Sequence, residues 1–157
     1  MGWTANGLLV EGAIDVSRLP GHTADTGASV DLGEAFSRPV DYAVAEIGGW
    51  TSILDPHFQL TFDDDAALAL AGDRRVLAYA AHSVSDTYGF AWYSGGQPLR
   101  RIIYAAGEIA DETGGVLPEE ARLAPGIDED FVFDIIAGLT GLSWGAIADA
   151  AYRVWAA

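Results

Sequence analysis

The 157-residue chain has no cysteine, and none of its 8 basic residues is a lysine. Without cysteine there is no disulfide, no thiolate metal ligand and no thiol nucleophile, so cysteine-based zinc fingers and cysteine hydrolases are excluded. Positive charge is equally scarce: 23 Asp plus Glu face 8 arginines, giving a formal net charge of -15. A phosphate backbone demands a basic footprint, so direct nucleic-acid binding is not expected. Anionic membranes repel such a chain as well. No stretch approaches the roughly 18 apolar residues of a spanning helix, and Met1 to Asn6 lacks the basic region of a secretory signal, so the expectation is a soluble cytoplasmic protein.

What is present is a composition that folds. Half the residues are hydrophobic and 20% are charged, which opposes intrinsic disorder, and the length suits one domain over 1–157. There is no internal repeat and no linker-like tract.

The pattern begins with a strand near 8–14, followed by a loop punctuated by Pro20, Gly21 and Gly27. A short helical pattern from Asp31 stops at Arg38-Pro39, because the residue before proline is pushed out of helical space. Tyr42 to Ile47 and Trp50 to Leu54 read as strands split by Gly48-Gly49. Asp63, Asp64 and Asp65 precede Ala66 to Ala71, placing negative charge where a helix amino terminus favours it; helix capping accounts for this triplet without calcium. Residues 75–112 carry the spacing of an antiparallel meander, with strands at 76–84, 88–94, 99–105 and 108–111 and tight turns at Gly95-Gly96 and Ala106-Gly107. Both faces of these strands bear apolar groups, so both are expected to be covered.

Beyond Pro118-Glu119-Glu120 the period changes. Pro125-Gly126 reads as a turn, Asp128 as the cap of a helix to about Leu139, and Ser143 as the cap of a second helix with Trp144, Ile147, Ala148, Ala151 and Trp155 on one stripe. The two resemble a helix-turn-helix in outline, but the second offers Asp149 and only Arg153 to a groove, which argues against base reading. The expected fold is therefore α+β: an antiparallel meander sheet of about 5–7 strands with a C-terminal helix pair, residues 128–155, packed on one face.

Chemical signatures are sparse. His22, His57 and His82 show no helical metal spacing, no Gly-x-Ser-x-Gly elbow appears, and the glycine pairs match neither a dinucleotide fingerprint nor a P-loop, so no cofactor and no metal is expected. His82 and Ser83 are adjacent on a strand and must point to opposite faces, so adjacency alone cannot make them base and nucleophile. The runs Asp111-Glu112, Glu119-Glu120 and Asp128-Glu129-Asp130 border element ends.

The segment His82-Ser83-Val84-Ser85-Asp86-Thr87-Tyr88-Gly89-Phe90, continued by Trp92-Tyr93, Gly95-Gly96, Arg100-Arg101 and Gly115-Val116-Leu117-Pro118-Glu119-Glu120, resembles uncharacterised small acidic bacterial α+β proteins, including immunity-like proteins. That resemblance spans residues 82–120 and implies neutralisation of a basic toxin or enzyme by acidic and aromatic residues. The leading expectation is thus a noncatalytic acidic domain that binds a basic protein partner through Trp50, Trp92, Asp111, Glu112, Glu119 and Glu120. A second reading is a small-molecule-binding or hydrolytic enzyme with His57, His82, Ser85 and Asp86 at a cleft. A third is a homodimer joined through an edge strand or an exposed Trp155.

Overall fold

A computed structural model describes residues 3–123 and 128–157. Its frame is an open antiparallel sheet of nine strands. The central strand is β1 (Thr4–Glu11), flanked by β4 (Trp50–Leu54) and β5 (Val76–His82). These three are buried on both faces; β5 accordingly is an almost unbroken apolar run, whereas β1 and β4 bury Asn6, Thr51 and Ser52 as well. On one side the meander continues through β6 (Thr87–Ser94), β7 (Gln97–Ala105) and β8 (Glu108–Gly114). On the other lie β3 (Tyr42–Ile47), β9 (Tyr152–Ala156) and the edge strand β2 (Ala24–Val30).

Helices cover both faces, as the two-sided apolar pattern requires. On the first face, α1 (Leu32–Ser37), α4 (Glu129–Thr140) and α5 (Trp144–Asp149) pack over Leu9, Leu54, Leu77, Tyr79, Phe90, Trp92 and Ile102. On the second, α2 (Asp64–Ala71) and Leu60 cover Leu8, Val10, Ile53, Val76, Ala78, Ala91 and Tyr93. The caps are those the sequence supplies: Asp31, Asp63, Asp128 and Ser143 each accept a backbone N–H of the first turn. Three hairpins close on two-residue turns with both residues at positive φ: Gly48-Gly49 (55° and 83°), Gly95-Gly96 (64° and 78°) and Ala106-Gly107 (53° and 79°).

The α+β class stands, but 5–7 strands is an undercount. β2 was expected to be loop because Ala24 to Ser29 are all exposed and show no alternation; its ladder with β9 is irregular between Asp25 and Ser29, where Gly27 has φ 79°. The second C-terminal helix is also shorter than expected. α5 ends at Asp149, and Tyr152 to Ala156 form β9, inserted between β2 and β3. Its residues fit a helical stripe and a strand alike, but period two prevails. Tyr152 turns inward and is shared between the Ser52 hydroxyl (3.0 Å) and the Ile147 carbonyl (2.8 Å), while Arg153 faces out. The expected helix pair on one face is therefore α4 and the short α5. A four-residue helix, α3 (Pro118–Ala121), occupies a stretch expected to be loop. The Pro125-Gly126 turn lies outside the described residues. Among those described, no helix is long and apolar enough to cross a membrane.

Candidate functional site

One end of the sheet gathers segments that are distant in sequence. The turn Ser83–Asp86 joins β5 to β6, and beside it Ala106-Gly107 joins β7 to β8. The two turns are tied by a bond from the Ala106 N–H to the Asp86 carbonyl (3.0 Å). The first turn of α4 reaches the same place. Ser83 Oγ donates to Glu129 Oε2 (2.9 Å) and accepts from the Trp3 N–H (3.0 Å), which also approaches Glu129 Oε2 (3.2 Å). Helix, central strand and turn are thereby pinned together by one carboxylate and one hydroxyl. The turn is internally fixed as well, with the Asp86 N–H bonded to the Ser83 carbonyl at 3.2 Å and Asp86 at φ 50°.

This end combines apolar knobs with carboxylates. Val84 is 96% exposed at the turn tip, Ile109 54% exposed beside Glu108, and Phe58 45% exposed over the imidazole of His82, ring centres 5.4 Å apart. The segments that meet at this end also carry Asp86, Glu108, Asp128, Glu129 and Asp130. None of these five takes part in any ion pair among the described residues. Asp128 is committed to capping and Glu129 to Ser83, whereas Asp86, Glu108 and Asp130 receive no side-chain hydrogen bond from another segment among the described residues. Five of the chain's 23 carboxylates thus share this end of the sheet with the exposed side chains of Val84, Ile109 and Phe58.

Behind the knobs lies a closed polar network on the second face. Asp55, fully buried, accepts the N–H groups of Gln59 (2.9 Å), Leu60 (2.8 Å) and Thr61 (2.8 Å) and the Thr61 hydroxyl (2.9 Å). Asn6 donates to the Asp55 carbonyl (2.5 Å) and to Thr61 Oγ1 (3.2 Å). With both amide hydrogens committed, Asn6 Oδ1 is an acceptor, so His82 Nε2 at 3.0 Å carries the proton and donates to it. Burial holds the His82 pKa below its ordinary value. The network freezes the 55–62 loop and presents Phe58, whose φ of 53° is a left-handed conformation uncommon for an aromatic residue.

The residues anticipated from sequence fall elsewhere. Trp92 is 8% exposed and belongs to the first-face core; Trp50 is 6% exposed, with the Arg75 guanidinium 5.4 Å from its ring centre. Glu112 and Glu120 both bind Arg100, which is 2% exposed; Glu120 takes it through both oxygens at 2.8 Å and Glu112 at 2.9 Å. Asp111 lies 3.4 Å from Arg101, on the opposite face, where Arg101 also pairs with Asp64. Glu119 lies against the α4 backbone at Gly138. These groups hold the molecule together more than they project from it. His82 and Ser83 do face opposite ways, as strand alternation requires. Of the enzyme-type set, His57 and Asp86 are exposed, Ser85 Oγ lies 3.4 Å from the His82 carbonyl and 3.2 Å from Thr87 Oγ1, and the His82 imidazole faces Asn6. No hydrogen bond among the described residues joins a hydroxyl to an imidazole, and no group of three or more His, Asp and Glu there is placed to hold a metal. A surface depression of about 470 Å³ lies by α1 over Val30, Val40 and Val154, away from these residues. Val84, Ile109, Phe58, Glu108, Glu129 and Asp130 went unassigned in the sequence reading; the clue at Val84 was a branched apolar residue alone within Ser83-Val84-Ser85-Asp86-Thr87. No family model, curated relative or solved structure matches the chain.

Proposed function

We propose that this protein is a noncatalytic binding protein that docks a basic protein partner on the sheet end formed by Ser83–Asp86, Glu108-Ile109 and the first turn of α4. Neutralisation of a basic bacterial toxin or enzyme is the form of docking that the resemblance of residues 82–120 implies. The observation that carries the reading is the 96% exposed Val84 on a hydrogen-bonded turn that holds Asp86 and is tied to Glu129, neither carboxylate being in an ion pair among the described residues. A rigid turn loses little conformational freedom on binding, so its contacts are not spent on ordering. Acidic groups speed encounter with a cationic surface, and apolar knobs supply contact once water is expelled. Two copies of the chain would oppose like charges across this face, which disfavours self-association there.

The test is affinity capture from the native host at low ionic strength, with salt elution, comparing the wild-type chain with the triple variant Asp86→Lys, Glu108→Lys, Asp130→Lys and with Val84→Asp. Basic proteins retained by the wild type, released by salt and lost with both variants support the proposal. Capture that is indifferent to charge reversal, or no basic protein captured at all, removes it.

A further inference from the structure

Asn6 is the only asparagine of the chain, and Gly7 follows it. We propose that this pair is a latent self-modification site: inert in the fold, it converts to aspartate or isoaspartate once the chain unfolds, and the product is barred from returning to the native state.

Packing forces both residues. A Cβ at position 7 would lie 2.1 Å from the Ile53 carbonyl oxygen and 3.2 Å from Leu54 Cα, so only glycine fits where β1 runs against β4. Position 6 is fully buried and must give two hydrogen bonds, to the Asp55 carbonyl and Thr61 Oγ1, while accepting one from His82; asparagine has that inventory. The fold therefore places asparagine before the one residue that leaves the next peptide nitrogen unshielded by a side chain.

In a free chain that nitrogen, after losing its proton to solvent base, attacks Asn6 Cγ. The new N–Cγ bond forms, the Cγ–Nδ2 bond breaks, and nitrogen leaves as ammonia after taking a proton from water. Water then opens the five-membered imide at either carbonyl, giving aspartate or a backbone routed through the side-chain carbon. One water enters, one ammonia leaves, and nothing is oxidised or reduced.

In the native state the attack is blocked. Gly7 is held between Leu54 and Tyr79 in extended backbone, and three hydrogen bonds to other segments keep the Asn6 amide from swinging over its own chain. After conversion, an acceptor oxygen would face the Asp55 carbonyl where a donor stood 2.5 Å away, and a charge would be buried beside the Asp55 carboxylate with no arginine near. The isoaspartate form also lengthens the backbone of a central strand.

Wild-type protein held at mildly alkaline pH, in buffer and in denaturing urea, is peptide-mapped by mass spectrometry at successive times. Conversion at position 6 is expected to run at least about a hundredfold faster in urea, since a central strand opens only with global unfolding. On dilution from urea the converted molecules are expected in the non-native fraction. Equal rates in the two solvents would overturn the protection, and converted chains that refold with the wild-type urea midpoint would overturn the barrier. Both readouts use the unmutated chain; an Asn6→Asp chain should partition like the converted material.

Discussion

Replacing Arg100 by methionine tests the most deeply buried ion pair among the described residues. The guanidinium side chain is 1% exposed and that of Glu120 8%, so neither charge has water to fall back on. Arg100 gives Glu120 two bonds at 2.8 Å, reaches Glu112 at 2.9 Å and the Gly114 carbonyl at 3.1 Å; bonding to Glu120 raises its pKa, against the opposing pull of burial. Without it, the Glu120 carboxylate keeps, among the described residues, only the Leu117 N–H at 3.1 Å. Breaking a buried pair from one side costs about 3–5 kcal/mol. For a domain of this length that is roughly 6–20 °C in Tm. Glu112 is 41% exposed and rehydrates at little cost. Removing both partners, as in Arg100→Met with Glu120→Leu, leaves no orphaned charge, so the double variant should lie within about 2 kcal/mol of wild type. Urea unfolding of the four proteins gives the coupling directly. Single effects that add to within about 0.5 kcal/mol in the double variant would show that the pair does not act as a buried unit, and the reasoning would fail.

Other expectations follow from the same geometry. His82 has a lowered pKa in the fold, so below the ordinary imidazole value of 6.5 the unfolded chain binds a proton that the native state resists. Its contribution is complete above that value and is lost as pH falls through the folded pKa; urea midpoints at pH 7 and pH 5 should differ more for wild type than for His82→Gln, which keeps a donor toward Asn6. Gly114→Ala should cost at least about 3 kcal/mol, because φ is 77° and the added Cβ would sit 2.0 Å from the Leu99 carbonyl oxygen. Gly96→Ala, at φ 78° with nothing within 4 Å, should cost only the left-handed penalty of about 1–2 kcal/mol, as read by the same urea titration. Val84→Ser should leave thermal stability within about 0.5 kcal/mol of wild type while weakening capture of basic proteins.

Where local chemistry decides, the sequence was legible. The hairpins at Gly48-Gly49, Gly95-Gly96 and Ala106-Gly107 and the caps at Asp63, Asp128 and Ser143 follow from glycine's backbone freedom and from side-chain oxygens placed before helices. Where partners at long range decide, it was not. β2 carries no alternation because almost nothing of it is buried, and it exists through pairing with β9. Tyr152 to Ala156 satisfies both periods, and only the slot between β2 and β3 selects the strand. The candidate site was hidden for a related reason: Ser83, Glu129 and Trp3 meet across sequence gaps that no local pattern spans. The carboxylates most conspicuous as runs, Asp111-Glu112 and Glu119-Glu120, include three that answer to Arg100 or Arg101 within the fold.

Strand β7 reads Arg100-Arg101-Ile102-Ile103, with each doubled type divided between the two faces. A frame shift of one residue would put arginine again where Arg100 sits and isoleucine again where Ile102 sits, so that face scarcely tells the native frame from its neighbour; the other face does, because isoleucine would replace Arg101 opposite Asp64 and Asp111. The two-residue turns at either end of the strand act as the vernier, fixing Gln97 opposite Ser94 and Ala105 opposite Glu108. One residue inserted into either turn would therefore open a rival alignment that keeps the chemistry of the Arg100 face and gives up the Arg101 pairs with Asp64 and Asp111, so lengthening the chain here should loosen the frame at the expense of those pairs.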